Sequence, residues 1–391
     1  MPPAVQIPTP SMAFPTLAVS SRDAKTLEII GDAHVQDTLE YYREFIEDHK
    51  ENVDRKMWRK SGSSIKTRES NDRDVTPLML LVGTLQGNLD DVLYGIQSPS
   101  TETMQLQTSY VQDGLSDWAV LASIIKPSRA DPFRELSLKW AVKRHAMPIG
   151  ALMRPRDLVY MESIGFTTTR SGERVGYQEL SEHNIVRAHL SFCYLYRQRT
   201  ENVVDVFMRG TISPMTSSTL SNMASCSVAT DIALSVARIS YCAQMKKLSW
   251  LLKTGKQVLF PGRGGPSQQQ CGVCAEVVPG VSSARKAHKK SCRICGERVC
   301  SRCRVTKQLG CITSLDDQDV VVTASMRFCT HCIHRASQVN AQSVALHDII
   351  EAEGGRDPER AFDVIRKLRI DSISTCSLDD SYSQHSSLYT Q

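Results

Sequence analysis

The sequence predicts an α+β protein with two folded units: a curved antiparallel sheet closed by a long helix, followed by a small metal-binding module. Three observations support this prediction. Alternating apolar residues indicate strands in the middle of the chain, and a long helical stretch follows them. Nine of the 13 cysteines then fall between Cys271 and Cys332. A chain of 391 residues is long enough for two or three domains.

Composition excludes some classes of protein and leaves others open. Hydrophobic residues make up 41% of the chain and charged residues 23%, which is enough apolar material for a folded core. No apolar run approaches the roughly 18 residues that cross a bilayer, and the first 20 residues lack the pattern of a secretory signal. We therefore expect a cytoplasmic protein whose membrane contacts are peripheral.

Changes in composition divide the chain. Prolines and small residues predict a disordered leader, and a Pro/Gly/Gln-rich stretch predicts a linker. A serine-rich end predicts a mostly disordered tail with one short helix near 358–368. The predicted segments are a leader at 1–24, a first domain at 25–254, a linker at 255–270, a cysteine module at 271–335 and a tail at 336–391.

The first domain begins with a helical pattern and continues with strands. From Gly31, one apolar stripe carries Val35, Leu39, Tyr42, Ile46, His49 and Val53. Residues 78–83 predict a buried strand, and Asn88 is placed to cap a short helix.

Further strands and a closing helix follow. The clearest strand is 186–196, where Val186, Ala188, Leu190, Phe192, Tyr194 and Tyr196 alternate with other residues and therefore share one sheet face. Residues 158–166 and 203–212 are further candidates, and 171–174 has turn composition. A long helix is predicted over 221–253, with Val228, Ile232, Val236, Ile239 and Ala243 in one apolar row.

The cysteine module contains four C-x2-C pairs. Seventeen residues separate the first pair from the second, four separate the second from the third, and 25 separate the third from the fourth. Two residues between ligands let a tight turn direct both sulfurs at one ion, so eight such cysteines predict two structural Zn²⁺ ions.

Interleaving of the four pairs is expected because a four-residue connector is too short for the two middle pairs to share one tetrahedron. The predicted ligands are Cys271, Cys274, Cys300 and Cys303 for one zinc, and Cys292, Cys295, Cys329 and Cys332 for the other. Four protein ligands leave no open position for water, which argues against catalytic zinc. Cys193, Cys226, Cys242, Cys311 and Cys376 lie outside the pairs and are predicted to be apolar packing residues.

The module resembles the FYVE zinc fingers. Cys292-Arg293-Ile294-Cys295-Gly296 with Cys300-Ser301-Arg302-Cys303 is similar to that family's CRxCG…CxxC core, and Arg327-Phe328-Cys329 is similar to its RVC motif. The resemblance implies two interleaved zinc ions and binding of phosphatidylinositol 3-phosphate on endosomal membranes. It also implies lipid headgroup contacts at His288, Lys289, Lys290 and Arg293.

The chain departs from the FYVE pattern in three places. Lys290 and Ser291 replace the two histidines of the family's RRHHCR patch, and the WxxD element before the first pair is absent. The loop that precedes the patch offers only Val277, Val278 and Val281 as apolar residues. RING and PHD fingers share cross-braced pairs but match this spacing less well.

Charge in the module favours an anionic partner. Between Arg285 and Lys307 there are nine Lys or Arg residues and one acid. Part of this excess offsets the formal charge of −2 on each zinc with four thiolates, and the rest is available to anionic lipid. Nucleic acid is disfavoured because this stretch lacks aromatic residues for stacking.

The first domain is similar to START-like lipid-transfer domains of the helix-grip type. The resemblance is in the order of elements, in the segment Leu81-Val82-Gly83-Thr84-Leu85-Gln86-Gly87-Asn88-Leu89-Asp90-Asp91-Val92, and in the closing helix. It implies an apolar tunnel for a lipid or another hydrophobic ligand. The same apolar faces could instead fill one another, and the sequence leaves both outcomes open.

The first domain contains no catalytic motif, so the sequence predicts a non-enzymatic adaptor. Its first domain would bind a hydrophobic ligand, and its zinc module would dock on an anionic membrane. The alternative is a zinc-finger protein–protein interaction module, RING-like or PHD-like and related to ubiquitin or chromatin, with a filled START-like core and no lipid cavity.

Overall fold

The fold was established from a computed structural model. It describes residues 5–6, 17–53, 59–61, 65–68, 78–143, 156–181, 189–213, 231, 235–259, 270–278, 291–315 and 318–354. No helix among these residues is long and apolar enough to cross a membrane.

A nine-stranded sheet forms the centre of the first domain, and all its neighbouring strands pair antiparallel. The strands are β2 (Arg59–Ser61), β3 (Ile65–Arg68), β4 (Leu78–Gln86), β5 (Leu115–Ile125), β6 (Glu135–Lys143), β7 (Arg156–Thr168), β8 (Arg174–Ser181), β9 (His189–Thr200) and β10 (Val203–Ser213). Their spatial order is β2-β3-β4-β10-β9-β8-β7-β6-β5. Strands β5 to β10 form a continuous meander, and β4 pairs with β10 at its end.

Helix α1 (Ser21–Glu47) covers one face of this sheet. Val35, Leu39 and Tyr42 of the predicted stripe are buried there with Phe45. The helix starts ten residues before the predicted Gly31, because the Ser20 hydroxyl caps it by accepting a hydrogen bond from the Asp23 backbone N–H at 3.1 Å. It ends at Glu47, so His49 and Val53 lie beyond the helix.

Three helices cover the other face: α2 (Leu89–Ile96), α3 (Thr101–Val111) and α4 (Ile239–Leu259). The Asn88 side chain caps α2 as predicted, since its Oδ1 accepts from the Asp91 N–H at 2.8 Å. Strand β9 is buried on both faces: Phe192, Tyr194 and Tyr196 face α2 and α4, whereas Cys193 and Leu195 face α1. Alternate residues of a strand point to opposite faces, so helices on both sides bury both sets. Val186 and Ala188 lie outside the described residues.

The closing helix differs from its predicted bounds. A short 3₁₀ turn at Val236–Arg238 leads into α4, and Val236, Ile239 and Ala243 of the predicted row are buried. Val228 and Ile232 lie outside the described residues. Helix α4 continues six residues beyond Lys253 into the segment predicted to be a linker. Thr254, just before that segment, is buried, and its hydroxyl donates to the Trp250 carbonyl at 2.8 Å.

The C-terminal unit is built around a hairpin. Strands β11 (Arg304–Leu315) and β12 (Gln318–Cys329) pair antiparallel, and β1 (Val5–Gln6) adds to the outer edge of β12. Helices α5 (Thr330–Gln338) and α6 (Ala341–Ala352) follow. Val5 and Gln6 fall in the predicted disordered leader.

Helix α6 falls where the sequence predicted a mostly disordered tail. Its first turn is capped by Asn340, whose Oδ1 accepts from the Ser343 N–H at 3.0 Å. Val344, Ala345 and Ile350 are buried. The short helix predicted near 358–368 lies outside the described residues.

The hairpin packs directly on the first domain at Gly310. The Gly310 N–H donates to the Tyr110 hydroxyl at 2.6 Å, and the Ser249 hydroxyl donates to the Gly310 carbonyl at 2.7 Å. A Cβ atom at Gly310 would overlap Leu106 Cδ1, so any larger residue would force the buried Leu106 side chain to shift. Buried residues of both units consequently belong to one continuous hydrophobic core.

We predict that Tyr110→Phe lowers the free energy of unfolding by about 1–3 kcal/mol, because it leaves the buried Gly310 N–H without its acceptor. Urea unfolding of the full chain measures this change. The matched control is Tyr241→Phe, a neighbouring tyrosine that is 36% exposed, and it should change the value by less than about 0.5 kcal/mol. Equal stability of the two variants would show that the hydrogen bond does not stabilise the junction.

Candidate metal centres and ligand cavity

The eight paired cysteines gather into two groups of four. In each group the four sulfur atoms all lie within 4.8 Å of one another. The groups are Cys271, Cys274, Cys300 and Cys303, and Cys292, Cys295, Cys329 and Cys332. These are the two interleaved sets that the spacing predicts.

The first two pairs sit in two similar turns. In each turn the first cysteine donates its N–H to a carbonyl five residues later, Cys271 to Glu276 and Cys292 to Glu297, both at 2.8 Å. The residue after the second cysteine has a left-handed conformation, with φ of 58° at Ala275 and 76° at Gly296. This tight reversal directs both sulfurs of a pair to the same side.

The last pair is positioned by a helix start. Cys329 ends β12 and is the N-cap of α5, where its Sγ accepts from the Cys332 N–H at 3.3 Å. Cys332 lies in the first turn of α5. Strand and helix thus bring these two thiols to the second group, while the 300–303 segment that precedes β11 supplies the first.

The donor set fits zinc. Sγ–Sγ distances of 3.8 Å are found in both groups, between Cys274 and Cys300 and between Cys295 and Cys329. A tetrahedron with Zn–S bonds of about 2.3 Å has edges of about 3.8 Å. All eight cysteines are free thiols, and four sulfur donors are typical of structural zinc or an iron–sulfur centre. Each group would hold one ion through its four sulfurs.

The close approach of the four thiols in the second group also favours a cation. Hydrogen bonds from Cys295 and Cys329 lower the pKa of Cys292, whereas the hydrogen bond to Cys292 raises the pKa of Cys332. Four thiols this close cannot all ionise without a compensating charge. A divalent ion supplies that charge and stabilises all four thiolates together.

The predicted headgroup residues are only partly described. His288, Lys289 and Lys290 lie outside the described residues. Arg293 is half-buried, and its backbone N–H donates to the Arg327 carbonyl of β12 at 2.9 Å. The cysteine module also exposes an apolar side chain, since Val277 is 67% exposed whereas Val278 is buried.

A cavity of about 100 Å³ lies between the sheet and the helices α3 and α4. Its apolar lining includes Leu180 from the sheet, Met104 and Val111 from α3, and Ile239 from α4. Typical ligand pockets have volumes of roughly 300–1,000 Å³. The first domain is therefore not completely filled, but the volume in this state is well below that of a two-chain lipid.

Buried polar groups form one part of the cavity wall. Glu162 and Gln178 line it, and the Gln178 amide donates to the Glu162 carboxylate at 2.6 Å. Lys139 is fully buried, pairs with Glu162, and lies 3.0 Å from Glu135. Burial alone would lower the pKa of Lys139, but the two carboxylates outweigh burial and raise it, so Lys139 stays charged.

One polar atom at the cavity has no partner. Within the described part of the chain, the buried Tyr194 hydroxyl makes no hydrogen bond. Burial raises its pKa, so it stays a neutral donor. The alternating sequence pattern predicts an apolar face for Tyr194, and no sequence signal marks Lys139 or Glu162. A charged residue in a strand gives no signal of its pairing until the neighbouring strand is known.

Comparisons with known proteins return structural likenesses alone. No protein-family model matches the chain, and no curated protein matches it. Human StAR-related lipid transfer protein 5 is similar with a TM-score of 0.38 and 12% identity, covering 56% of this chain and 97% of that one. Human STARD10 gives 0.34 and 10%, covering 57% and 81%.

A bacterial structure gives a comparable result. The fragment 25–204 of a STAR-related lipid transfer protein from Xanthomonas axonopodis has a TM-score of 0.32 and 14% identity, covering 47% of this chain and 97% of that one. At these TM-scores none of the likenesses supports an argument about ligand or activity. The strand pairing described above establishes the antiparallel sheet independently of these likenesses.

We predict that Cys274→Ser yields protein with one zinc ion fewer than wild type, because a group of three thiolates binds Zn²⁺ much more weakly than a group of four. Native mass spectrometry after removal of loosely bound metal counts the ions. The control is Cys376→Ser, the same chemical change outside both groups, which should keep the wild-type count. An unchanged count in Cys274→Ser would exclude Cys274 as a ligand.

Proposed function

We propose that this protein is a non-enzymatic adaptor that holds a hydrophobic ligand in its first domain and docks on an anionic membrane through a FYVE-like zinc finger. The observation that carries the first part is the cavity between the sheet and α3 and α4, with the unpartnered Tyr194 hydroxyl in its wall. The second part rests on the basic charge of the finger and its two closed cysteine groups.

The cavity supports a ligand with an apolar body and a polar atom. A buried hydroxyl without a hydrogen bond costs about 1–3 kcal/mol, and a ligand that supplies an acceptor recovers that cost. Apolar side chains from three elements would contact the rest of the ligand. At about 100 Å³, the cavity admits a small hydrophobic molecule or one end of a longer one. A longer tail requires α3 or α4 to move outward.

A role without catalysis agrees with the chemistry of both sites. The carboxylate of Glu162 in the cavity wall is engaged by Lys139 and Gln178, so it is poorly placed to take a proton from a ligand. Zinc bound by four cysteines has no open position at which water or a substrate could coordinate. These groups therefore act in binding and folding in our proposal.

The finger supports the membrane part. Nine basic residues and one acid lie between Arg285 and Lys307, and each Lys or Arg near an anionic surface contributes about 1 kcal/mol. The exposed Val277 belongs to the same finger and could insert among lipid headgroups. By resemblance to FYVE fingers, we propose phosphatidylinositol 3-phosphate as the lipid and the cytoplasmic face of endosomes as the location.

We predict that Ala141→Leu weakens binding of a fluorescent fatty acid at least tenfold. Ala141 is fully buried and lines the cavity, so the larger side chain occupies the ligand's space. Parinaric acid fluorescence titration of the full chain measures binding, and thermal unfolding checks the fold. The control Ala119→Leu adds the same volume at a buried alanine outside the cavity lining. Equal affinities in the two variants would contradict a ligand site here.

We predict that Lys289→Ala/Lys290→Ala weakens binding to vesicles containing phosphatidylinositol 3-phosphate about 30-fold, which corresponds to about 1 kcal/mol per lysine. Vesicle flotation at low salt measures it, with zinc content checked in parallel. Lys25→Ala/Lys126→Ala removes the same charge from the first domain and should have little effect. Absence of wild-type binding to any anionic vesicle would refute the membrane role.

A second function is favoured by the cavity volume. If a cavity of about 100 Å³ carries no ligand, the first domain is a scaffold and the finger serves as a RING-like or PHD-like protein interaction module. Native mass spectrometry of the purified chain separates the two functions. A co-purified small molecule supports the ligand-binding function, and a bare protein that also fails to bind vesicles supports the scaffold.

A further inference from the structure

Helix α6 carries a second type of metal-ligand cluster, which contains no cysteine. His347, Asp348 and Glu351 each offer one ligand atom, and these atoms lie within 4.8 Å of one another. His347 and Glu351 are four residues apart on the helix and therefore lie on the same side, and Asp348, which follows His347 directly, lies close to both. The local helix is therefore enough to bring one imidazole and two carboxylates together.

The imidazole is buried with its coordinating nitrogen unused. His347 is 5% exposed, and its Nδ1 has no hydrogen-bond partner in the part of the chain that the structure describes. The nearest carboxylate oxygen, Glu351 Oε1, lies 3.9 Å away, beyond hydrogen-bond distance. A buried nitrogen in this state costs free energy unless something binds it.

Neighbouring elements hold the cluster in place. The His347 ring packs edge-on against Trp250 of α4, with centroids 5.8 Å apart and an interplanar angle of 85°. The Tyr94 hydroxyl of α2 donates to Asp348 Oδ2 at 2.8 Å. Such outer contacts orient the ligands in metal sites, and they are already formed here. Lys253 Nζ lies 3.7 Å from Glu351 Oε2, and the buried Lys246 of α4 interacts electrostatically with Asp348.

We propose that His347, Asp348 and Glu351 bind one zinc ion, separate from the two cysteine groups. One imidazole nitrogen and two carboxylate oxygens form a three-ligand set that zinc accepts, with a fourth position left for water. Two ligands about 2.1 Å from a tetrahedral ion are about 3.4 Å apart, so binding draws the cluster together. Glu351 is half-exposed and free to make most of that adjustment.

The ion would hold α6 against α2 and α4 of the first domain. Through Asp348 it is linked to Tyr94 of α2, and through His347 it lies against Trp250 of α4. Anything that binds the folded state and not the unfolded state stabilises the folded state. Zinc beyond the two finger equivalents should therefore raise the unfolding temperature.

Metal counting on the full chain tests the proposal. Wild type in excess zinc should carry three ions by native mass spectrometry, and His347→Gln should carry two. The control His49→Gln, at an exposed histidine beyond α1, should keep three. Two ions in wild type, or three in His347→Gln, would overturn the proposal. Either outcome is distinct from loss of finger zinc, which Cys274→Ser reports.

A second variant keeps the proposal testable if His347→Gln does not fold. Glu351→Gln changes a half-exposed side chain, so the fold should survive, and zinc affinity at this site should fall at least tenfold. Cobalt substitution provides an independent signature, because the third equivalent should show ligand-field bands without a thiolate charge-transfer band. A third cobalt with thiolate character, or unchanged affinity in Glu351→Gln, would place the ion elsewhere.

Discussion

The C-terminal unit of this protein depends on the interleaving of four cysteine pairs. The first group lies wholly before β11, whereas the second joins Cys292 and Cys295, before the hairpin, to Cys329 and Cys332 at its end. The second group can therefore close only when the β11–β12 hairpin is formed. Cys329 and Cys332 also start α5, which ties the helical end of the chain to the second group. A module of this size has little apolar core of its own, and an ion bound by each cysteine group would add stability.

Formation of the hairpin in turn completes the first domain. Gly310 of β11 exchanges hydrogen bonds with Tyr110 of α3 and Ser249 of α4, and the two cores merge at this point. The opposite side of α3 lines the cavity through Met104 and Val111. Helix α3 therefore lies between the hairpin and the cavity, and any outward movement of α3 would also disturb the Gly310 contact. In the function proposed above, ligand binding in the cavity and docking by the cysteine module would be physically linked through this helix.

Sequence reasoning succeeded where the signal is local. The pairing of cysteines follows from short spacings, and the Asn88 cap and the alternation in β9 follow from neighbouring residues. It failed where distant elements decide. Burial of Lys139 between Glu135 and Glu162 depends on the β6–β7 register, and α6 becomes ordered because Val344 and Ile350 find a surface on the rest of the protein. The sequence around Lys139 or around α6 gives no sign of the distant residues that pack against them.

Hydrogen exchange with and without a strong zinc chelator tests the central dependence most directly. Chelation should remove protection from the amides of β11, β12 and α5 while the β7–β10 part of the sheet stays protected. The Tyr110 side of α3 should lose protection with the hairpin, because its partner Gly310 is released. Unchanged protection of the hairpin in metal-free protein would contradict the account, since the finger would then fold without its cysteine groups being bridged.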